Sequence, residues 1–199
     1  MSESAFPRED EGDRHVQIEE ESISVYEYEY LEPEKIVITA YSGEESLVIV
    51  PEKIEGKSVT AIGDKAFYEN HSITKVLLPE GIESIGKAAF AKCAYVEYIF
   101  LPSTVREVGE GAFANMNNLK ELRFPHGVEL IASKVCKNCI SLESIYLPKD
   151  VQIEGDSLSG CAQLKLIYGY DEATRKYACE HDYTYVDLNR VEEEGNIVW

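Results

Sequence analysis

The chain has 199 residues, room for one repeat domain with end pieces, and a net charge of −18. So acidic a surface repels phosphate backbones and argues against nucleic-acid binding. No stretch approaches the ~18–20 consecutive apolar residues of a membrane helix, which argues against membrane insertion.

Residues 1–22 hold eight acidic and two basic side chains among few apolar ones, the composition of a disordered acidic tail. They lack the basic start and apolar core of a signal peptide. The sequence as written therefore predicts a cytoplasmic protein, and a cell-surface or secreted one if a leader was removed. Residues 23–45 predict an N-terminal cap hairpin. The alternation Tyr26-Glu27-Tyr28-Glu29-Tyr30 reads as an amphipathic strand, with one face on the first coil and the other in water. It pairs with Ile36, Val37 and Ile38 across the turn at Leu31-Glu32-Pro33-Glu34. This cap reading outweighs a docking motif of modified tyrosines.

From residue 46 to 164 one pattern recurs five times. Proline stands at 51, 79, 102, 125 and 148, first after 28 residues and then after 23 each time. Fixed-period self-similarity of this length marks a solenoid, in which each copy is one supersecondary unit stacked on the next. The longer first interval comes from a turn-like insertion in residues 52–59. One residue before each proline stand Val50, Leu78, Leu101, Phe124 and Leu147, and three before stand Val48, Val76, Ile99, Leu122 and Ile145. Alternation at spacing two predicts a short strand with one buried face, and proline ends it for want of an N–H.

Further along each copy come Ile62-Gly63, Ile85-Gly86 and Val108-Gly109, with the glycine suited to a left-handed turn. Ala66-Phe67, Ala89-Phe90 and Ala112-Phe113 follow, where a short helical turn drives the ring inward. Asn70, Cys93, Met116, Cys139 and Cys161 form one more inward column. Coil four departs from the pattern, with Ile131-Ala132 and Val135-Cys136. Losing a ring from a packed core leaves a cavity worth about 3–5 kcal/mol unless something fills it. Phe124, where other coils carry leucine, is the expected filler. Coil five is looser again: it has Ile153-Glu154, is one residue short, and places Leu158 in the phenylalanine column.

The consensus L-x-x-I-x-L-P-x-x-V-x-x-I-G-x-x-A-F-x-x-C resembles the BspA-like (Treponema-type) leucine-rich repeat, over roughly residues 23–187. The resemblance implies a repeat solenoid, mostly β with short helical turns, wound as a right-handed superhelix with a parallel sheet. It implies a closing helix and strand over 165–188, and Glu192, Glu193 and Glu194 mark residues 189–199 as an acidic tail. It also implies adhesion or protein–protein contact rather than catalysis.

Chemistry-bearing residues mostly dissolve into the repeat. Cys136-Lys137-Asn138-Cys139 is a CxxC, but zinc needs a second pair at similar spacing, and Cys161 and Cys179 do not supply one. His15, His71, His126 and His181 stand beside no plausible nucleophile. Gly109-Glu110-Gly111 resembles the start of a dinucleotide loop, yet its first glycine is a repeat column. Asn70-His71-Ser72 is a formal glycosylation sequon within a structural column. The acidic clusters lack calcium-loop spacing. No catalytic residue, metal site or cofactor is expected.

One surface row remains. In a parallel ladder equivalent residues of successive coils lie about 4.8 Å apart, so each column becomes a row. Two residues before proline, pointing outward, stand Ile49, Leu77, Phe100, Arg123, Tyr146 and, in the last strand, Tyr168. Four before stand Leu47, Lys75, Tyr98, Glu121, Ser144 and Leu166. Aromatic and arginine anchors concentrate binding energy, so Leu77, Phe100, Arg123, Tyr146 and Tyr168, with Tyr98 and Lys75, are the candidate partner-binding residues. β-propensity alone also favours such residues on strands. The expected function is a non-catalytic interaction or adhesion-type scaffold for a protein partner, for which the acidic flanks favour a basic one. A structural or self-assembling module is the alternative, and the sequence sets no oligomeric state.

Overall fold

A computed structural model of the protein describes residues 24–193. The expected tail over 1–22 and the final residues 194–199 lie outside them. The chain opens with an antiparallel hairpin, β1 (Tyr26–Glu32) and β2 (Lys35–Tyr41), in which Tyr28 pairs with Ile38 and Tyr30 with Ile36. Tyr26 is buried while Glu27 and Glu29 face water, the amphipathic cap that the alternation predicts. Two columns of short parallel strands follow.

Column one holds β3 (Leu47–Ile49), β6 (Lys75–Leu77), β8 (Tyr98–Phe100), β10 (Glu121–Arg123), β12 (Ser144–Tyr146), β14 (Leu166–Gly169) and β15 (Thr184–Asp187). Column two holds β5 (Lys57–Ile62), β7 (Ser84–Ile85), β9 (Glu107–Val108), β11 (Leu130–Ile131) and β13 (Gln152–Ile153), with β2 parallel to β5. A short β4 (Lys53–Ile54) folds back on β5 and accounts for the insertion in the first coil. From β3 to β14 the chain makes five turns. A sixth runs from β14 through helix α1 (Glu172–Glu180) to β15. Asp171 caps α1 by accepting a hydrogen bond from the Thr174 N–H at 2.8 Å. Helix α2 (Leu188–Glu193) then occupies the start of the segment expected as an acidic tail.

The core is one aromatic spine wrapped in aliphatic columns. Phe67, Phe90 and Phe113 are all buried, and their rings stack at 4.8 and 6.0 Å. Tyr41 extends the stack at the N-terminal end, 5.0 Å from Phe67. Coil four has no ring in this column, and Phe124 from the strand column turns its edge onto Phe113 at 6.3 Å. The expected filler thus reaches the end of the ring column from the strand column. Cys93 and Cys139 each donate a thiol hydrogen bond to the carbonyl of a phenylalanine in the preceding coil, at 2.9 and 3.0 Å.

The glycine column works differently from expectation. Gly63, Gly86 and Gly109 are not left-handed. Within the repeats positive φ values recur instead on two other columns, Lys65, Ala88, Gly111 and Lys134, and Glu69, Lys92, Asn115 and Asn138. Glycine is needed because neighbouring coils touch there. A Cβ on Gly86 would stand 2.6 Å from the Asp64 nitrogen, and one on Gly109 would stand 2.7 Å from the Lys87 nitrogen. No side chain fits at those distances without parting the coils.

Coil four carries Ala132 in this column, and the strand ladders are interrupted there. Gly63, Gly86 and Gly109 each donate a backbone bond of 2.7–2.8 Å to the preceding coil, whereas among the described residues the Ala132 N–H makes no such bond. β9 and β11 are not paired, and neither are β8 and β10, so both strand columns split at the same boundary. On the far side the turns stay stitched through Gly111 to Ser133, Phe113 to Val135 and Asn115 to Lys137, at 2.8–3.0 Å. The result is a seam, open along both strand columns and closed along its back.

Candidate functional site

The structure places all seven candidate residues on one surface. Leu47, Lys75 and Tyr98 lie in register, as do Ile49, Leu77 and Phe100. Beyond the seam Glu121, Ser144 and Leu166 continue the first row, and Arg123, Tyr146 and Tyr168 the second. β15 prolongs both rows with Thr184 and Val186.

The two ends of this face differ in what they offer. Before the seam Ile49 and Phe100 are 64% and 60% exposed, and Tyr98 and Lys75 also stand in solvent. Lys75 reaches over the Tyr98 ring. Past the seam the outward side chains occupy one another. Arg123 lies 4.0 Å over the Tyr146 ring, Tyr146 stacks on Tyr168 at 4.1 Å, and Arg123 Nε donates to Glu121 at 2.7 Å. Burial, with the Glu121 carboxylate nearby, pushes the Tyr146 phenol up to about 12. Arg123, Tyr146 and Tyr168 are therefore partly covered rather than freely exposed, Leu77 before the seam is also half-buried, and Ser144 is buried.

The seam opens onto this face as a cavity of about 440 Å³. Tyr98, Phe100 and Leu101 line it from coil three, and Arg123, Phe124 and His126 from coil four. A hollow beside an exposed aromatic ring, partly walled by a guanidinium, suits an apolar side chain brought by a partner. Column reasoning places Phe100 and Arg123 here but misses the hollow between them. Its signal lies in the sequence all the same: alanine interrupts the glycine column at 132 in the one coil that carries Phe124.

On another side of the solenoid Glu110 accepts hydrogen bonds from Lys87 and Lys134, both at 2.7 Å. These two ammonium groups hold its carboxyl down at about 2. The buried thiols move the other way. Desolvation pushes Cys93 up to about 12, and the hydrogen bond with the Cys136 thiol, together with burial, raises Cys139 well above its ordinary range. Both act as protonated donors to carbonyl oxygens. Among the described residues no helix is long and apolar enough to cross a membrane.

Comparison with known proteins gives one concordant result. The model of the BspA type leucine rich repeat region matches residues 48–165 in six copies. A crystal structure of a T. pallidum leucine-rich repeat protein is similar at 24% identity and TM-score 0.56, covering 82% of this chain and 96% of that one. A leucine-rich repeat protein from Bacteroides capillosus is similar at 25% identity and TM-score 0.54, covering 74% and 95%. A leucine rich cell surface protein from Faecalibacterium prausnitzii, at 20% identity and TM-score 0.52, covers 86% of this chain and 56% of its own. No curated protein matches the chain.

Proposed function

The chain belongs to the BspA-type leucine-rich repeat family, and from that premise we propose that it is a non-catalytic scaffold that binds protein through the outward face of strand column one. The observation that carries this reading is Phe100, an aromatic ring 60% exposed at the lip of the seam cavity. Solubility gives no reason to hold a ring of that size in water beside an apolar hollow, whereas a contact face does. Tyr98, Lys75 and Leu77 flank it on the same surface, and the Arg123–Tyr146–Tyr168 stack forms a firm shoulder on the other side of the seam.

Capture of proteins from the source organism by the wild-type chain and by a Tyr98→Ser, Phe100→Ser double variant tests the reading. Both side chains stand in solvent, so the variant should melt close to wild type. Its capture should fall at least tenfold, which corresponds to about 1.4 kcal/mol. Full capture by a folded variant would move the contact face elsewhere on the molecule.

A further inference from the structure

We propose that the occupant of this face is a second copy of the chain, docked antiparallel about a two-fold axis that runs along the strand direction through coil three. The inference rests on the outward face being the contact face and adds the identity of the partner. With coils one to five numbered by β3, β6, β8, β10 and β12, such an axis sets coil one against coil five, two against four, and three against itself. Position along the strand is kept, so each row meets its own reverse. A row completes this interface only if its two ends complement each other.

They do. The residue after each strand-ending proline is Glu52, Glu80, Ser103, His126 and Lys149 in coil order, and all five are exposed. Reversed on itself, this row sets Glu52 against Lys149 and Glu80 against His126. The next position sets Lys53 against Asp150, again both exposed. The row through Lys75, Tyr98 and Glu121 sets Lys75 against Glu121 and Tyr98 against itself. In the central row Phe100 meets Phe100 at the axis. There the two rings meet, each one a wall of the cavity in its own copy. Glu97 is the one like-charge meeting, at the margin of the face. Neither Glu52 nor Lys149 forms an ion pair within the chain among the described residues. The net charge of −18 on each copy opposes approach at long range. That repulsion is screened beyond roughly 8 Å at physiological salt, while the local pairs on the face act at contact.

Sedimentation velocity of the full chain over a range of concentrations tests the proposal, and a reversible monomer–dimer equilibrium is expected. Lys149→Glu should weaken dimerisation at least tenfold, because it would confront Glu52 of the partner subunit. Adding Glu52→Lys should restore it. The two positions lie four coils, roughly 19 Å, apart within one chain, so recovery does not come from a contact within the chain, and it should persist at high salt relative to Lys149→Glu paired with a Glu→Lys change outside the face. Phe100→Ser should also weaken the dimer, with melting unchanged in every variant. A chain that sediments as a monomer at all concentrations overturns the proposal, and so does a double variant no better than Lys149→Glu alone. If the chain is monomeric yet Phe100→Ser still reduces capture of another protein, the contact face stands and only the self-pairing falls. If neither capture nor dimerisation responds to any of these changes, the contact face falls with it.

Discussion

The three coils before the seam and the two after it are stacked by different means. Before it, spacing is set by backbone against backbone at Gly63, Gly86 and Gly109, and the space between strand columns is filled by one ring per coil, Phe67, Phe90 and Phe113. After it the glycine column reads Ala132 and Glu154, and the ring column reads Cys136 and Leu158. Coil five regains a ladder bond through the Glu154 N–H, at 3.1 Å against 2.7–2.8 Å at the glycines, in a coil that is one residue shorter. The difference separates two jobs within one repeat. The glycine decides how closely coils approach, and the ring decides what fills them once they have. Coil four changes both at once: Phe124 answers for the missing ring, while the missing glycine goes unanswered and leaves the seam.

The largest test of this comparison strikes the ring column on its regular side. Phe113 is fully buried between Phe90 and Phe124. Phe113→Asp would place an unpaired charge there and remove the ring that links the two halves, at a cost on the order of 5 kcal/mol or more. Cooperative unfolding by circular dichroism should be lost. A variant that still melts in one sharp transition would show that the halves do not share a core at this ring.

The second test exchanges the spacers. Gly109→Ala would press a Cβ into the Lys87 backbone and should cost about 1–3 kcal/mol. Ala132→Gly is the converse. It should change stability by no more than about 1 kcal/mol, since the entropy that glycine loses on folding offsets what a closed ladder gains. Its signature is amide hydrogen exchange: protection at residue 132 should rise toward that of Gly86 and Gly109 as the seam closes. An exchange pattern unchanged by Ala132→Gly would mean that something other than the alanine methyl holds the coils apart.

Most of this architecture is legible in the sequence because a repeat multiplies weak signals. The period, the strand columns, the inward phenylalanines and the capping hairpin each recur or alternate, and one physical cause, burial on one face, places them all. The role of the glycines is read wrongly, because sequence shows a residue without a side chain and not the reason for it. A left-handed turn and a neighbouring backbone demand the same residue, and only the coordinates place the left-handed φ on Lys65, Ala88 and Lys134 instead. The candidate face is legible as a row, but its division is not. Periodicity treats Phe100 and Tyr146 alike, whereas the first stands in water and the second lies under Arg123. Contacts among outward side chains depend on their lengths and partners, which the period does not carry.

The smallest effect is electrostatic and concerns a tie across the closed back of the seam. Glu110, on coil three, bonds Lys87 of coil two and Lys134 of coil four, so its carboxylate is one of the few side chains that join the halves. Its folded value near 2 lies below that of a free glutamate. Folding therefore favours the ionised form, and the stabilisation is complete above the ordinary glutamate range of about 4.3. It fades as the pH falls from there toward 2, where the folded chain also takes up the proton. All three groups are at least a third exposed to solvent, so the effect is small and salt should weaken it. Glu110→Gln should lower the melting temperature slightly at pH 7 and much less near pH 2, and added salt should narrow the gap at neutral pH. A gap of equal size at both pH values would mean that Glu110 acts through packing rather than charge, and would leave the backbone turns as the tie between coils three and four.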